Sequence, residues 1–332
     1  MIHLGILITK HHRLISVAAM LDVFESANRF SVQSGNDPCF AISLLYPGDK
    51  AGFTYGDFPK YAIDQAPVQT LILIPAFAAE HINTAIQDNA DCIPWLIQQY
   101  KQGAEIASFC TGAFLLAATG LLNDKPATTH IQAAEALSRS FPRVRITPRE
   151  ITTFENGIYT SGGATNSFHL MFSIIEKYCG KSLAIQTAKY FAVDLNREQQ
   201  MYFSTFKPVT DHQDELVTSL QRNMEAKFSE GETIEKLLDG IPASRRNLVR
   251  RFKGVTGITP IEYLQKTRME AAKKLLEQSR LSILEIMLRV GYNDLKTFRQ
   301  LFKKHTGMTP TAYRDKFTPR GTALLGSMVV NN

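Results

Sequence analysis

The feature that most constrains this chain is a repeat within it. FKGVTGITPIEYLQKTR at residues 252–268 returns as FKKHTGMTPTAYRDKF at 302–317. Each copy follows the same sequence of signals: a short apolar segment, a turn, and a basic helix. In the first copy Ile234–Leu238 reads as a short helix and Asp239-Gly240-Ile241-Pro242 breaks it. Ser244 can then cap RRNLVRRFK, with Leu248 and Phe252 four residues apart on the core side. In the second copy SILEIMLRV at 282–290 is the short helix and Gly291-Tyr292-Asn293 the turn. LKTFRQLFKKH at 295–305 is the basic helix, anchored by Phe298 and Phe302. Between the copies, Thr259-Pro260 opens a helix that runs to about Glu277, on the order of 27 Å long at 1.5 Å per residue. Its apolar stripe is expected to hold Ile261, Leu264, Arg268, Ala271, Ala272, Leu275 and Leu276. Another helix, Glu215–Phe228, precedes the pair, with acidic residues from Asp211 to Glu215 at its start.

A helix, a tight turn and a basic second helix is the arrangement that lays the second helix in the major groove. Two such units joined by a rigid helix give one chain two reading heads, because successive major-groove faces are ~34 Å apart. Charge agrees with this. Residues 1–206 hold 15 Lys and Arg against 17 Asp and Glu, and residues 207–332 hold 22 against 14, so the second part carries the positive field. Arg245, Arg246, Asn247 and Arg250 on the first basic helix, and Lys296, Arg299, Gln300 and Lys303 on the second, are the expected contacts with double-stranded DNA. Arg245, Arg250, Lys296 and Arg299 are the expected readers of base edges. A basic helical bundle that binds protein is the alternative.

The 332 residues suit two domains. Residues 1–206 read as an α/β sandwich. Ile2–Thr9, Phe40–Tyr46, Gln69–Pro75 and Glu105–Phe109 are apolar strands, and Ala18–Phe30, Ala90–Gln102 and Thr111–Leu122 are helices between or after them. Val144–Thr147 is a further strand, and Ile151–Glu155 and Gly157–Thr160 form a hairpin around Asn156-Gly157. Residues 207–214 form a linker, 215–317 the helical domain and 318–332 a tail. No apolar run approaches the ~18 residues of a membrane span, and the first strand is too short for a signal peptide core, so a cytoplasmic protein is expected. The four cysteines and the histidines show no metal-ligand spacing; no metal or cofactor is expected.

One residue looks reactive. Cys110, in SFCTG, sits where a strand meets a helix, so a tight turn can present the sulfur beside helix N-terminal amides. Thr111 follows it, His130 returns after a turn, and Asp22 is the available acid on the first helix. A buried structural cysteine is the simpler reading of the same residue.

Residues 211–317 resemble the AraC-type DNA-binding domain, most of all LSILEIMLRVGYNDLKTFRQLFKKHTGMTPTAYR at 281–314. Val249 lies where that family commonly has a polar, groove-facing residue. Residues 1–206 resemble the DJ-1/PfpI fold (class I glutamine amidotransferase-like) found in GlxA-like regulators of the AraC family. The matching stretches are LDVFE at 21–25, IASFCTGAFLLAATGLL at 106–122, ATTH at 127–130 and TSGGATNSFHLMFSIIEKYCG at 160–180. The resemblance implies a sensor domain in which Cys110, His130 and Asp22 mark a pocket for a small-molecule effector, such as an amino acid or amine derivative. Pro75-Ala76-Phe77 replaces a glycine-rich stretch of the family, so Phe77 is expected to put a ring into that pocket. A homodimer that activates transcription, with RNA polymerase as a partner, is the implied behaviour. An amidase, hydratase or hydrolase of the DJ-1/PfpI type, fused to a DNA-binding domain, is the rival.

Overall fold

The computed structural model describes residues 1–48, 56–78, 82–163, 165–195, 206, 208–210, 212–238 and 241–317. The expected tail, Asp211, Asp239-Gly240 and part of the expected linker lie outside these residues. The chain divides into two compact units, Met1–Gln200 and Met201–Asn332.

The first unit is built on nine strands among the described residues: β1 (Ile2–Leu7), β2 (Phe40–Tyr46), β3 (Lys60–Ala62), β4 (Leu71–Ile74), β5 (Glu105–Phe109), β6 (Pro126–Ala127), β7 (Arg145–Ile146), β8 (Thr152–Glu155) and β9 (Ile158–Ser161). Seven of them form one sheet in the order β3-β2-β1-β4-β5-β9-β8, parallel except for the β8–β9 hairpin. Asn156 and Gly157 take φ of 50° and 74°, the paired positive values of a type I′ turn. The segment around Val144–Thr147 does not join this sheet; β7 pairs only with β6.

The parallel strands are apolar on both faces because helices cover both. Leu4, Ile6, Leu71, Leu73, Ala107 and Phe109 point into one core, beneath α1 (Leu14–Gln33), α6 (Asn166–Cys179) and α7 (Lys181–Tyr190). Leu7, Ile72, Ile74 and Ile106 point into the other, beneath α2 (Ile82–Asp88), α3 (Cys92–Lys101), α4 (Ala113–Ala118) and α5 (Ala134–Ser140). The chain leaves β1 toward β2 on one side and later returns to the other side as β4. The carboxyl ends of strands at such a reversal are where open α/β sheets bind ligands. The helix expected over Thr111–Leu122 is shorter: Cys110–Gly112 is a 3₁₀ turn and α4 ends at Ala118.

The second unit is helical: α8 (Glu215–Lys227), α9 (Ile234–Leu238), α10 (Arg245–Thr256), α11 (Pro260–Gln278), α12 (Ile283–Arg289), α13 (Leu295–Thr306) and α14 (Pro310–Phe317). Its two halves have separate cores. Leu220, Met224, Leu237, Leu248, Phe252 and Tyr263 fill one, and Met269, Leu276, Ile286, Phe298, Phe302 and Tyr313 the other. The repeated sequence makes repeated structure. Thr256 and Thr306 each donate to the carbonyl four residues back at 2.8 Å, and Gly257 and Gly307 end α10 and α13 at φ of 80° and 81°. Thr259 caps α11 with Glu262 in a capping box. Ile261, expected in the α11 stripe, is half exposed, and Tyr263 takes the core position instead.

Arg268, at mid-length of α11, ties the halves together. Its Nε donates to Phe228 O (2.8 Å) and its Nη2 to Glu232 O (3.0 Å), both in the first half. Its guanidinium lies 5.2 Å from the ring centre of Tyr292 in the second half. Gly291 completes the joint, since a Cβ there would lie 2.3 Å from Phe228 O. Arg268→Met keeps the apolar stem but leaves two carbonyls without donors. Unpaired buried groups cost roughly 1–3 kcal/mol each, so urea denaturation should show a loss of about 3 kcal/mol in the second unit. An unchanged midpoint would show that the joint contributes nothing.

Candidate functional site

In the first unit the site forms at the end of β5. Phe109 is extended, and Cys110 then takes φ of 54°, a value that side-chain-bearing residues rarely adopt. The turn fits because of Gly112: a Cβ there would meet Pro75 O at 2.5 Å and Ile74 O at 2.8 Å. Thr111 is buried, and its hydroxyl donates to Phe77 O (2.7 Å) and accepts from Phe77 N (2.8 Å). The loop after β4 is thereby stitched to the elbow. Thr129, fully buried, donates to Cys110 O at 2.8 Å and sets the next residue, His130, beside it. Gly163 closes that side, since a Cβ there would lie 2.1 Å from His130 Cδ2.

The first turn of α1 supplies the remaining wall. Arg13 N donates to Ala76 O (2.7 Å), and Ser16 Oγ accepts from Ala76 N (3.0 Å). Arg13, Ser16 and Thr129 are the members that sequence reasoning missed. Arg13 and Ser16 mattered through their place in the loop and first turn, which no local motif marks.

The structure therefore brings Cys110, Thr111 and His130 together and leaves the other two expected residues out. Asp22 is exposed on α1. It lies six residues beyond Ser16, which turns it about 240° around the helix from the side that meets residue 76. Phe77 contributes its backbone, while its ring is fully buried in the core beneath α4.

His130 has a defined chemical state. Burial, followed by the nearby charge of Arg13, pushes its pKa below the ordinary value. Nδ1 accepts a hydrogen bond from Gln132 N at 3.2 Å. A backbone N–H can only donate, so the neutral ring carries its proton on Nε2. In that tautomer Nε2 is a hydrogen-bond donor, suited to a ligand acceptor and unsuited to taking a proton from a thiol. None of the four cysteines is in a disulfide, and no cluster of metal-ligating side chains occurs among the described residues.

In the second unit the candidate interface is the pair of basic helices. α10 and α13 have the same length and correspond in sequence with an offset of fifty residues, with Leu248 at the position of Phe298 and Phe252 at that of Phe302. Ser244 and Asp294 cap them, accepting from Asn247 N (3.4 Å) and Thr297 N (2.7 Å). Opposite the core, Lys296, Arg299, Gln300 and Lys303 are exposed on one face of α13. By the offset the matching face of α10 is Arg246, Val249, Arg250 and Lys253, at i, i+3, i+4 and i+7.

This alignment changes the reading of α10. Arg245 stands where the second copy has Leu295, which packs against its own core, and it pairs with Glu235 at 2.8 Å. Arg251 stands at the Leu301 position and pairs with Asp214, the cap of α8. Both arginines serve the domain. Lys253 was missed, although it aligns with Lys303 in the repeat. Asn247 sits beside the face and accepts from Arg250 Nη2 at 3.3 Å.

These arrangements match known proteins. A helix-turn-helix domain family model matches residues 239–316, and a DJ-1/PfpI family model matches residues 80–177. The transcriptional regulator GbdR of Pseudomonas aeruginosa is 24% identical over 312 residues, covering 92% of this chain and 82% of the relative. The regulator GlxA of Rhizobium meliloti is 24% identical over 327 residues, covering 94% and 95%. Along nearly its whole length the chain is similar to HTH-type transcriptional regulators such as these. Its first unit is similar in fold to a transcriptional regulator protein from Vibrio parahaemolyticus, with TM-score 0.50, 19% identity, and coverage of 57% of this chain and 98% of that one. Among the described residues of the regulator, no helix is long and apolar enough to cross a membrane.

One titration can be followed in this unit. His305, in the last turn of α13, has Nε2 buried with no hydrogen-bond partner. Burial, with the charges of Lys266 and Lys304, pulls its pKa from 6.5 to about 4. Between these values the unfolded chain binds the extra proton, so stability rises with pH and is lost as pH falls from about 6.5 toward 4. Denaturation of the wild type and His305→Gln across that range should show the wild type losing more. Parallel curves would show that His305 does not titrate this way.

Proposed function

We propose that the regulator sets α10 and α13 into successive major grooves of double-stranded DNA, through Arg246, Val249, Arg250 and Lys253 in one and Lys296, Arg299, Gln300 and Lys303 in the other. The observation that carries this reading is the correspondence of the two helices, each capped, each anchored by two buried apolar residues, each with a mainly cationic opposite face. α11, about 28 Å long, spaces them on the scale of one turn of DNA.

The first unit, Met1–Gln200, is the sensor, and residues 215–317 are the DNA-binding domain. Its effector is a small metabolite of the amino acid or amine type, held at the elbow by Cys110, Thr111 and the Nε2 donor of His130. The regulator works in the cytoplasm as a homodimer that activates transcription with RNA polymerase, and the effector shifts the population between arrangements of the paired heads. The strained Cys110 favours a second reading, a residual cysteine-dependent activity. The tautomer of His130 and the position of Asp22 support binding over turnover.

Selection of bound fragments from genomic DNA by the full-length protein tests the first reading, and random recovery would overturn it. Arg299→Ala should weaken target binding ten-fold or more, as expected for one base-reading arginine at about 1–3 kcal/mol, with a smaller loss on scrambled DNA. Arg245→Ala should lower both slightly, because its partner is Glu235. Equal losses for Arg299→Ala on both DNAs would make it a phosphate contact. Cys110→Ala should change effector affinity measured by melting shift; turnover present in the wild type and abolished by this substitution would favour the enzyme.

A further inference from the structure

The two recognition helices are built on one template, so the residues that differ between them report what each one reads. Four positions face outward in both: 246 and 296, 249 and 299, 250 and 300, 253 and 303. The outer positions hold a cation in each copy, Arg246 or Lys296 and Lys253 or Lys303. Cations at the flanks of a groove-bound helix suit phosphates and carry no sequence information. The central two positions change chemistry, from Val249 and Arg250 to Arg299 and Gln300.

Val249 is the anomaly. It is a stiff, β-branched apolar side chain on a face otherwise made of cations, and it is only part-buried. The apolar core beneath α10 contains Leu248, Phe252 and Val255 but not Val249. In its place the second copy has an exposed arginine, Arg299. Among base edges in the major groove, the apolar feature is the C5 methyl group of thymine. Beside it, Arg250 has the fork that fits guanine O6 and N7, and the amide of Asn247 holds one of its nitrogens. On α13, Arg299 has the same fork and Gln300 the pair of groups that fits adenine N6 and N7.

We propose that Val249 reads a thymine methyl group, so that the two heads recognise half-sites of different chemistry: thymine beside guanine under α10, guanine beside adenine under α13. A site with unlike halves also sets the direction in which each chain lies on DNA. The proposal rests on the reading that α10 and α13 both carry base contacts.

The test uses full-length protein and synthetic duplexes. A binding site is first enriched from random sequence. The half belonging to α13 is the one whose preference changes in Arg299→Ala; the other half belongs to α10. Each thymine of the α10 half is then replaced singly by deoxyuridine, which removes the methyl group alone, and affinity is measured by fluorescence anisotropy at fixed salt. Burying one methyl-sized group is worth about 0.8 kcal/mol, which converts to about four-fold in affinity. One thymine should show that loss with the wild type. Val249→Ala should reduce the loss toward none, while Val249→Thr, which retains a methyl group, should keep most of it. Melting curves establish that the variants are folded, and the deoxyuridine series on the wild type needs no variant. An α10 half without a required thymine, or a methyl effect of the same size in Val249→Ala, overturns the proposal. If Arg299→Ala also leaves the enriched sequence unchanged, the reading beneath it fails; if Arg299→Ala shifts it and only Val249 is indifferent, the proposal alone fails.

Discussion

The DNA-binding unit depends on one guanidinium. Two small helical cores, each too small to define the other's position, are joined by a single helix, and Arg268 fixes both to it. A planar group with several donors can satisfy two carbonyls along its edge and lie on a ring with its face, which a lysine ammonium cannot do. The carbonyls come from the loop after α8, and the ring is Tyr292 from the turn before α13. That turn approaches so closely that residue 291 has room for no side chain. The distance and phase between α10 and α13 are therefore properties of the folded unit. DNA does not have to impose them, and little ordering entropy is lost in binding both grooves at once.

The first unit uses close backbone approach in the same way. Gly112 lets the elbow lie on the carbonyls of residues 74 and 75, and Thr111 then bonds both polar groups of residue 77. The positive φ of Cys110 is held by these contacts, with Thr129 on its carbonyl. A strained residue persists where its surroundings over-determine it. Here the surroundings come from the ends of β1, β4 and β5, so a ligand touching Cys110 or His130 also presses on the first turn of α1 through Ser16 and Arg13. The geometry thus connects the elbow to one of the long helices covering the sheet.

Much of this was legible in the sequence, and the pattern of successes has a physical cause. The strands Phe40–Tyr46 and Glu105–Phe109, and the start of α10 at Ser244, were readable to the residue, because apolar runs and caps are local signals. The edge strand β3, three residues long and half-buried, carries no such run and went unread, as did the short α2. Site residues failed where phase mattered. Asp22 and Ser16 lie on one helix, and periodicity says only that they differ in direction, not which of them meets a loop sixty residues away. Phe77, expected to put a ring into the pocket, has that ring buried in the core beneath α4. Arg245 looks like a DNA contact by type, and its ion pair with Glu235 is a tertiary feature that type alone does not show. The repeat could have shown this, since the same position holds Leu295 in the second copy.

That comparison separates two roles of positive charge in the unit. Arg245 and Arg251 are paired with Glu235 and Asp214 and add little net field, whereas Lys296, Arg299 and Lys303 form no ion pair among the described residues. Exposed pairs such as Arg245–Glu235 add little to stability, so their main effect is on the field around the helix. Arg246, Arg250 and Lys253 on α10 are likewise in no ion pair among the described residues, so the two outward faces match in uncompensated charge. Phosphate attraction is long-ranged and insensitive to sequence, and base contacts act only at close range. With attraction balanced between the two helices, what distinguishes them is the central pair of each outward face, Val249 and Arg250 against Arg299 and Gln300.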